Sequence, residues 1–141
     1  MVSKLDSIKK LKIFLSIFFL HVLHQIEESL SFFNWYYSHH SDFGIFAILP
    51  REISKVAIQQ PYYFIIGSCL QFIFTLILAF ISLKRKKDLK LVSYLYIIGL
   101  DFFLIWHIIS CYQPHLYPPI MTTCILGLFY TLKWLYSLNQ N

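Results

Sequence analysis

The amino-acid sequence predicts an all-α, polytopic membrane protein with four transmembrane helices and a short interfacial helix in the first outer loop. Of its 141 residues 57% are hydrophobic and 13% are charged, whereas about 25% of the residues in a soluble domain are charged. Four hydrophobic segments each approach the roughly 20 residues that cross a bilayer core. Basic residues cluster beside these segments. The length suits a single transmembrane domain over residues 1–141.

The four predicted spans differ in their polar content. The second span contains no charged residue, and the third is interrupted by Asp101 and His107. The fourth contains Lys133, whose long side chain can reach the interface beside Trp134. The predicted spans are, in chain order, about 11–33, 62–83, 91–112 and 118–138.

The segment between the first two spans, SHHSDFGIFAILPREISKVAIQQ, is too short and too charged to cross a membrane. It therefore predicts an amphipathic helix in the interface. Four lysines lie in the N-terminal tail, up to the start of the first span, and five basic residues follow the second, but none lies in CYQPHLYPP after the third. The positive-inside rule predicts that both termini are cytoplasmic. A cleaved signal peptide over residues 1–30 is disfavoured, because the apolar run passes directly into His and Glu without a usual cleavage site.

Charge and cysteine content exclude two classes of function. The net charge of +5 arises from clusters that flank spans. These clusters favour contact with the lipid bilayer, including anionic lipids, and no nucleic-acid partner is expected. The three cysteines, Cys69, Cys111 and Cys124, are scattered and form no CxxC pair. Neither a disulfide framework nor a thiolate metal site is therefore expected.

The stretch HVLHQIEES places ionisable residues inside the first span. On a helix, His21, His24, Glu27 and Glu28 share one stripe, opposite an apolar face. His107 in the third span lies about 24 Å from the cytoplasmic end, at the depth of His24. A charged side chain at mid-bilayer costs about 2.5–3.5 kcal/mol, so these groups must be protonated, paired or bound to a cation. We therefore expect a buried polar pocket near the outer leaflet.

Several of these residues form a recognisable pattern. They are HQIEE at 24–28, then His107, and then Tyr117, Pro119 and Thr123. The pattern resembles a family of small integral membrane proteins named after its HXXEE motif, whose last span opens with a Tyr-x-Pro-Gly-x-x-Thr-like segment. This chain departs from it at Ile120, where the family has Gly. The resemblance covers the whole chain in size and layout. It implies the fold, a site and a bacterial plasma membrane, but no reaction.

The favoured hypothesis is an intramembrane enzyme that acts on a lipidic or amphipathic small molecule. A His and a Glu one turn apart can face one divalent metal, and His107 would complete a set typical of Zn or Fe. The predicted catalytic groups and metal ligands are His24, Glu27, Glu28 and His107. Tyr117 and Thr123 are predicted to contact the substrate, and His21 and Asp101 to orient the ligands from behind.

Three alternatives stay open. A buried Glu beside a His can shuttle protons without a metal, which gives an acid–base membrane enzyme. A proton or ion transporter is disfavoured, because the second span offers only Ser68, Gln71 and Thr75 as polar stations. A His–Glu hydrogen-bond network that only orders helix packing is the structural alternative.

Overall fold

The computed structural model describes residues 4–84, 89–112 and 121–139, which are helical apart from short connections and contain no strand. The predicted all-α class is confirmed for these ranges. The elements are α1 (Lys4–Glu27), a π-helical segment (Glu28–Phe32), α2 (Phe33–His39), a 3₁₀ segment (His40–Phe46), α3 (Arg51–Gln59), α4 (Pro61–Lys84), α5 (Leu89–Tyr112) and α6 (Met121–Asn139).

Among the described residues, three helical stretches are long and apolar enough to cross a membrane: Ile8–Leu30, Pro61–Lys84 and Leu89–Ser110. They indicate a membrane protein. Helix α6 has 19 residues, or about 28 Å of helix, but it is not among the three stretches that are apolar enough to cross a membrane. The fourth span therefore stays a prediction, and its expected start at residues 118–120 lies outside the described residues.

The exposed apolar surface of α4 indicates a membrane protein. Apart from a few polar residues such as Ser68, Gln71 and Thr75 its side chains are apolar, and Ala79 is the one residue of this helix that is buried. In water such a helix would expose a contiguous apolar surface far larger than that of a soluble monomer. An apolar surface of this size is typical of a membrane-spanning helix at the edge of its bundle.

The core is formed where α1, α5 and α6 pack together. Its buried apolar side chains come from all three helices: Ile13, Ile17, Ile97, Leu100, Leu104, Cys124 and Leu138. Helix α4 joins this core through α3 and α5. The helices pack tightly at Gly127 of α6, where an added Cβ would lie 2.9 Å from Leu104 Cδ1 and 3.5 Å from Leu20 Cδ2.

Aromatic packing fixes the chain between α2 and α3. The Tyr36 ring stacks on Phe43 at a centroid distance of 4.7 Å, and its hydroxyl donates to the Leu49 carbonyl at 2.7 Å. Burial raises the pKa of Tyr36, although its bond to Leu49 opposes this rise. Trp106 Nε1 of α5 donates to the Phe46 carbonyl at 2.8 Å. Gly44 turns the chain here with φ 51°, a conformation that glycine adopts without strain.

Helix α3 lies in the segment predicted to be interfacial. Its position relative to a membrane stays a prediction.

We expect Gly127→Leu to destabilise the helix core by about 1–3 kcal/mol, because the new side chain must displace Leu104 in a filled interior. Gly99→Leu is the matched control, since a Cβ at Gly99 has no described neighbour within 4 Å. Both changes raise helix propensity equally. Thermal unfolding in mild detergent, followed by tryptophan fluorescence, should show a lower midpoint for Gly127→Leu only. Equal midpoints would contradict the tight packing.

Candidate functional site

A cavity of about 440 Å³ lies between α1, α3, α4 and α5. Most of its wall is apolar and includes Phe33, Ile53, Phe64 and Phe103. Polar side chains converge on it from α1, the π-helical segment, α4 and α5: His21, His24, Gln25, Glu28, Ser68, Gln71 and His107. An apolar cavity with a few convergent polar groups has the composition of a small-molecule site.

Two histidines meet at the cavity wall. His24 of α1 and His107 of α5 are each 1% exposed, and their ring centroids are 5.1 Å apart. His107 also packs against the rings of Phe32 and Trp106, at 4.6 and 4.7 Å. The sequence places His24 of the first span and His107 of the third span at the same depth. The structure brings these two residues together.

The third member of the cluster comes from α6. His24, His107 and Cys124 are all buried, and one potential ligand atom from each lies within 4.8 Å of the other two. This group could hold a metal ion. The sequence predicts that Glu27 and Glu28 are the further metal ligands. In the described part of the chain, the residue that joins the two histidines is instead Cys124.

Glu27 reaches the histidine cluster through Thr123. The Thr123 hydroxyl donates to Glu27 Oε2 at 2.6 Å, and its oxygen lies 3.1 Å from His24 Nδ1. An ionised carboxylate only accepts hydrogen bonds, and a threonine hydroxyl has one proton. With that proton on Glu27, the Thr123 oxygen accepts from His24, so the ring proton of His24 is on Nδ1. Glu27 therefore positions His24 from the side of α6.

Glu28 points to a different neighbour. Its Oε2 accepts from Gln25 Nε2 at 3.2 Å, and Ser68 Oγ of α4 donates to Gln25 Oε1 at 2.6 Å. Consecutive residues of a helix project about 100° apart, which separates the two carboxylates. Glu28 also begins the π-helical segment, a local geometry common at functional sites. The predicted stripe thus divides into Glu27 toward α6 and Glu28 at the cavity.

The remaining predicted site residues have separate partners. His21 Nδ1 lies 2.7 Å from the Tyr96 hydroxyl, and its ring meets the edge of Phe72 at 5.2 Å. Asp101 lies beside Thr131 of α6. The orienting roles predicted for His21 and Asp101 stay predictions. Tyr117, predicted to contact the substrate, lies outside the described residues.

Cys124, Gln25 and Ser68 are the site residues that the sequence analysis missed. Cys124 follows Thr123, so the predicted opening of the last span already places it at the depth of the histidines. A lone cysteine in an apolar helix is usually a small core residue, so the sequence offered no reason to place Cys124 in the site.

Comparison with known protein families, curated proteins and solved structures finds no match. The resemblance to the HXXEE family therefore stays a prediction.

We expect Thr123→Val to destabilise the protein by about 1–2 kcal/mol, because it leaves Glu27 and His24 without the hydroxyl that joins them. Thr75→Val is the control, since the Thr75 hydroxyl donates to the Gln71 carbonyl within its own helix at 2.8 Å. Thermal unfolding in detergent compares the two variants. If both midpoints shift equally, the link across α1 and α6 does not contribute as described.

Proposed function

We propose that this chain is an intramembrane enzyme that acts on a lipidic or amphipathic small molecule. One observation carries the proposal: His24, His107 and Glu28 line the same cavity inside the helix assembly. Its volume of about 440 Å³ falls within the range of roughly 300–1,000 Å³ that is typical of ligand pockets. A network that only ordered the helices would not need a space of this size beside it.

The cavity wall supports proton transfer and polarisation of a bound substrate. Glu28 is half-buried on this wall and is proposed as the general base or acid, a role that requires a carboxyl within reach of the substrate. A divalent metal, Zn or Fe, held by His24 and His107 would polarise a carbonyl or phosphoryl oxygen. Glu27 would orient His24 rather than contact the substrate, because Thr123 separates them.

The lipidic character of the substrate follows from the surroundings. The wall is mainly aromatic and aliphatic, and the polar groups Gln25, Glu28 and Ser68 form one side of it. This arrangement suits a molecule with an apolar chain and a polar head. Helix α4, which forms part of the wall, faces the bilayer with its outer side. A substrate dissolved in the membrane therefore has a short path to the site.

The membrane arrangement is part of the same proposal. Four spans, with α6 as the last and α3 in the interface, would put both termini in the cytoplasm and the cavity in the outer leaflet. The basic segments that support this orientation are the N-terminal lysines and the sequence KRKK at 84–87. The resemblance to the HXXEE family supports a bacterial plasma membrane.

The alternatives make different demands on the same residues. A metal-free acid–base enzyme would use Glu28 and the histidines as proton donors and acceptors. A proton or ion transporter needs polar groups through the whole membrane, whereas the polar wall described here is confined to one cavity. A packing network predicts that apolar substitutes of similar size leave the protein functional.

We expect Glu28→Gln to abolish the enzyme's effect on membrane lipids, because the amide cannot take up a proton from the substrate. Lipid extracts are compared by mass spectrometry between a deletion strain of the native host and the same strain complemented with each variant. Glu52→Gln is the matched control, since Glu52 is exposed on α3, where its Oε2 lies 4.0 Å from Lys55 Nζ. Wild type and Glu52→Gln should restore the lipid profile that Glu28→Gln leaves unrestored.

Restoration by Glu28→Gln would exclude the proposed chemical role of this carboxyl. A proton or ion flux in liposomes that requires Glu28, with an unchanged lipid profile, would favour the transporter instead.

We expect Gly67→Leu to remove most of the activity without unfolding the protein, because its side chain would occupy the cavity. Gly67 lines this cavity, and a Cβ added there has no described neighbour within 4 Å. Gly99→Leu is again the control. The lipid profile reports activity and thermal unfolding reports stability; retained activity with a filled cavity would place the substrate elsewhere.

A further inference from the structure

We propose that His24, His107 and Cys124 bind one Zn²⁺ ion in a site whose remaining coordination position faces the cavity. This inference deepens the metal-dependent form of the proposed function and rests on it only for the use of the ion. The three residues come from α1, α5 and α6, so the ion would join the helices of the core. The thiolate ligand distinguishes this site from the His/Glu set that the sequence predicts.

The geometry of the cluster is close to that of a zinc site. The potential ligand atoms lie within 4.8 Å of one another. Tetrahedral coordination with Zn–N bonds of about 2.0 Å and a Zn–S bond of about 2.3 Å places such atoms roughly 3.3–3.6 Å apart. Ion binding would therefore require the three side chains to rotate toward the ion.

The hydrogen bonds prepare His24 to act as a ligand. Because Thr123 accepts the Nδ1 proton, Nε2 carries the lone pair that a metal requires. Among the described residues none hydrogen-bonds this Nε2 atom, which is fully buried. A buried nitrogen without a partner is costly unless an ion or water occupies its lone pair. Carboxylate-to-histidine links of this kind commonly orient metal ligands, and here Thr123 extends the link from Glu27.

Charge balance favours a divalent ion at this position. The thiol of Cys124 would release its proton on binding, as metal-bound cysteines do. The thiolate then offsets one of the two positive charges of the ion, and the Glu27 carboxyl group is joined to the ligand His24 through the Thr123 hydroxyl.

The ligand set selects the metal and leaves room for a substrate. A thiolate with two imidazoles suits Zn²⁺ better than Fe(II), which prefers two histidines and a carboxylate with oxygen donors. Three protein ligands and one open position are typical of catalytic rather than structural zinc. His24 and His107 line the cavity, whereas Cys124 lies behind them, so the open position is on the side of Glu28.

The test begins with the unmodified chain, purified in mild detergent without a polyhistidine tag. Elemental mass spectrometry measures metal content after zinc is supplied and the excess is removed. X-ray absorption at the zinc edge then identifies the ligands. We expect one zinc per chain, with one sulfur at about 2.3 Å and nitrogen or oxygen at about 2.0–2.1 Å. A shell without sulfur, or no bound zinc, would overturn the proposal, and both results are obtained on the unmodified chain.

Variants then assign the sulfur and the orienting link. Cys124→Ser should lower zinc affinity by more than 100-fold, while the control Cys69→Ser, at an exposed position of α4, should leave it unchanged. Thr123→Val should weaken zinc about 10- to 100-fold, as is typical when a group behind a ligand is lost. Thr123→Ser, which keeps the hydroxyl, should restore binding. Unchanged affinity in Cys124→Ser would overturn the assignment.

The inference and the proposed function fail separately. Absence of zinc together with a lipid change that requires Glu28 would overturn the metal site and leave a metal-free acid–base enzyme. Zinc bound as described, with no lipid change in the deletion strain, would support the metal site and remove the proposed enzymatic role.

Discussion

The hydrogen-bonded link from Glu27 through Thr123 to His24 is the constraint on which the site depends. It joins α1 to α6 at the depth where α5 contributes His107. Polar groups are tolerated in an apolar interior only when their donors and acceptors are used. The threonine hydroxyl serves the carboxylate and the imidazole at once. By accepting from His24 Nδ1, the Thr123 oxygen fixes the tautomer of His24. The Nε2 atom of His24 then points away from the Thr123 hydroxyl.

The two adjacent carboxylates have different roles because a helix separates neighbouring side chains by about 100°. Glu27 accepts a hydrogen bond from Thr123 of α6, whereas Glu28 remains at the cavity beside Gln25. The π-helical segment begins at Glu28 and inserts an extra residue into the helical repeat. Phe32, at its end, packs against His107 at 4.6 Å. One irregular turn thus supplies both a polar and an aromatic neighbour to the histidine pair.

The sequence predicts the helical class, three of the spans and the meeting of His24 with His107, because span length and depth follow from helical rise. It does not predict that Cys124 joins them. That contact depends on the rotation of α6, and a helix that is apolar on most sides carries no sequence signal for its rotation. The separation of Glu27 from Glu28 was missed for a related reason: a helical wheel gives directions but not the neighbours that lie in them.

Helix α4 forms the least buried wall of the cavity. The core of α1, α5 and α6 is closely packed at Gly127, where Leu104 and Leu20 approach within van der Waals distance of an added Cβ. Helix α4 instead has almost all of its side chains exposed and is held to α1 through the Ser68–Gln25 hydrogen bond. Interfaces with few buried contacts open at lower free energy than filled cores. The wall formed by α4 therefore has the fewest buried contacts to hold it against the rest of the cavity.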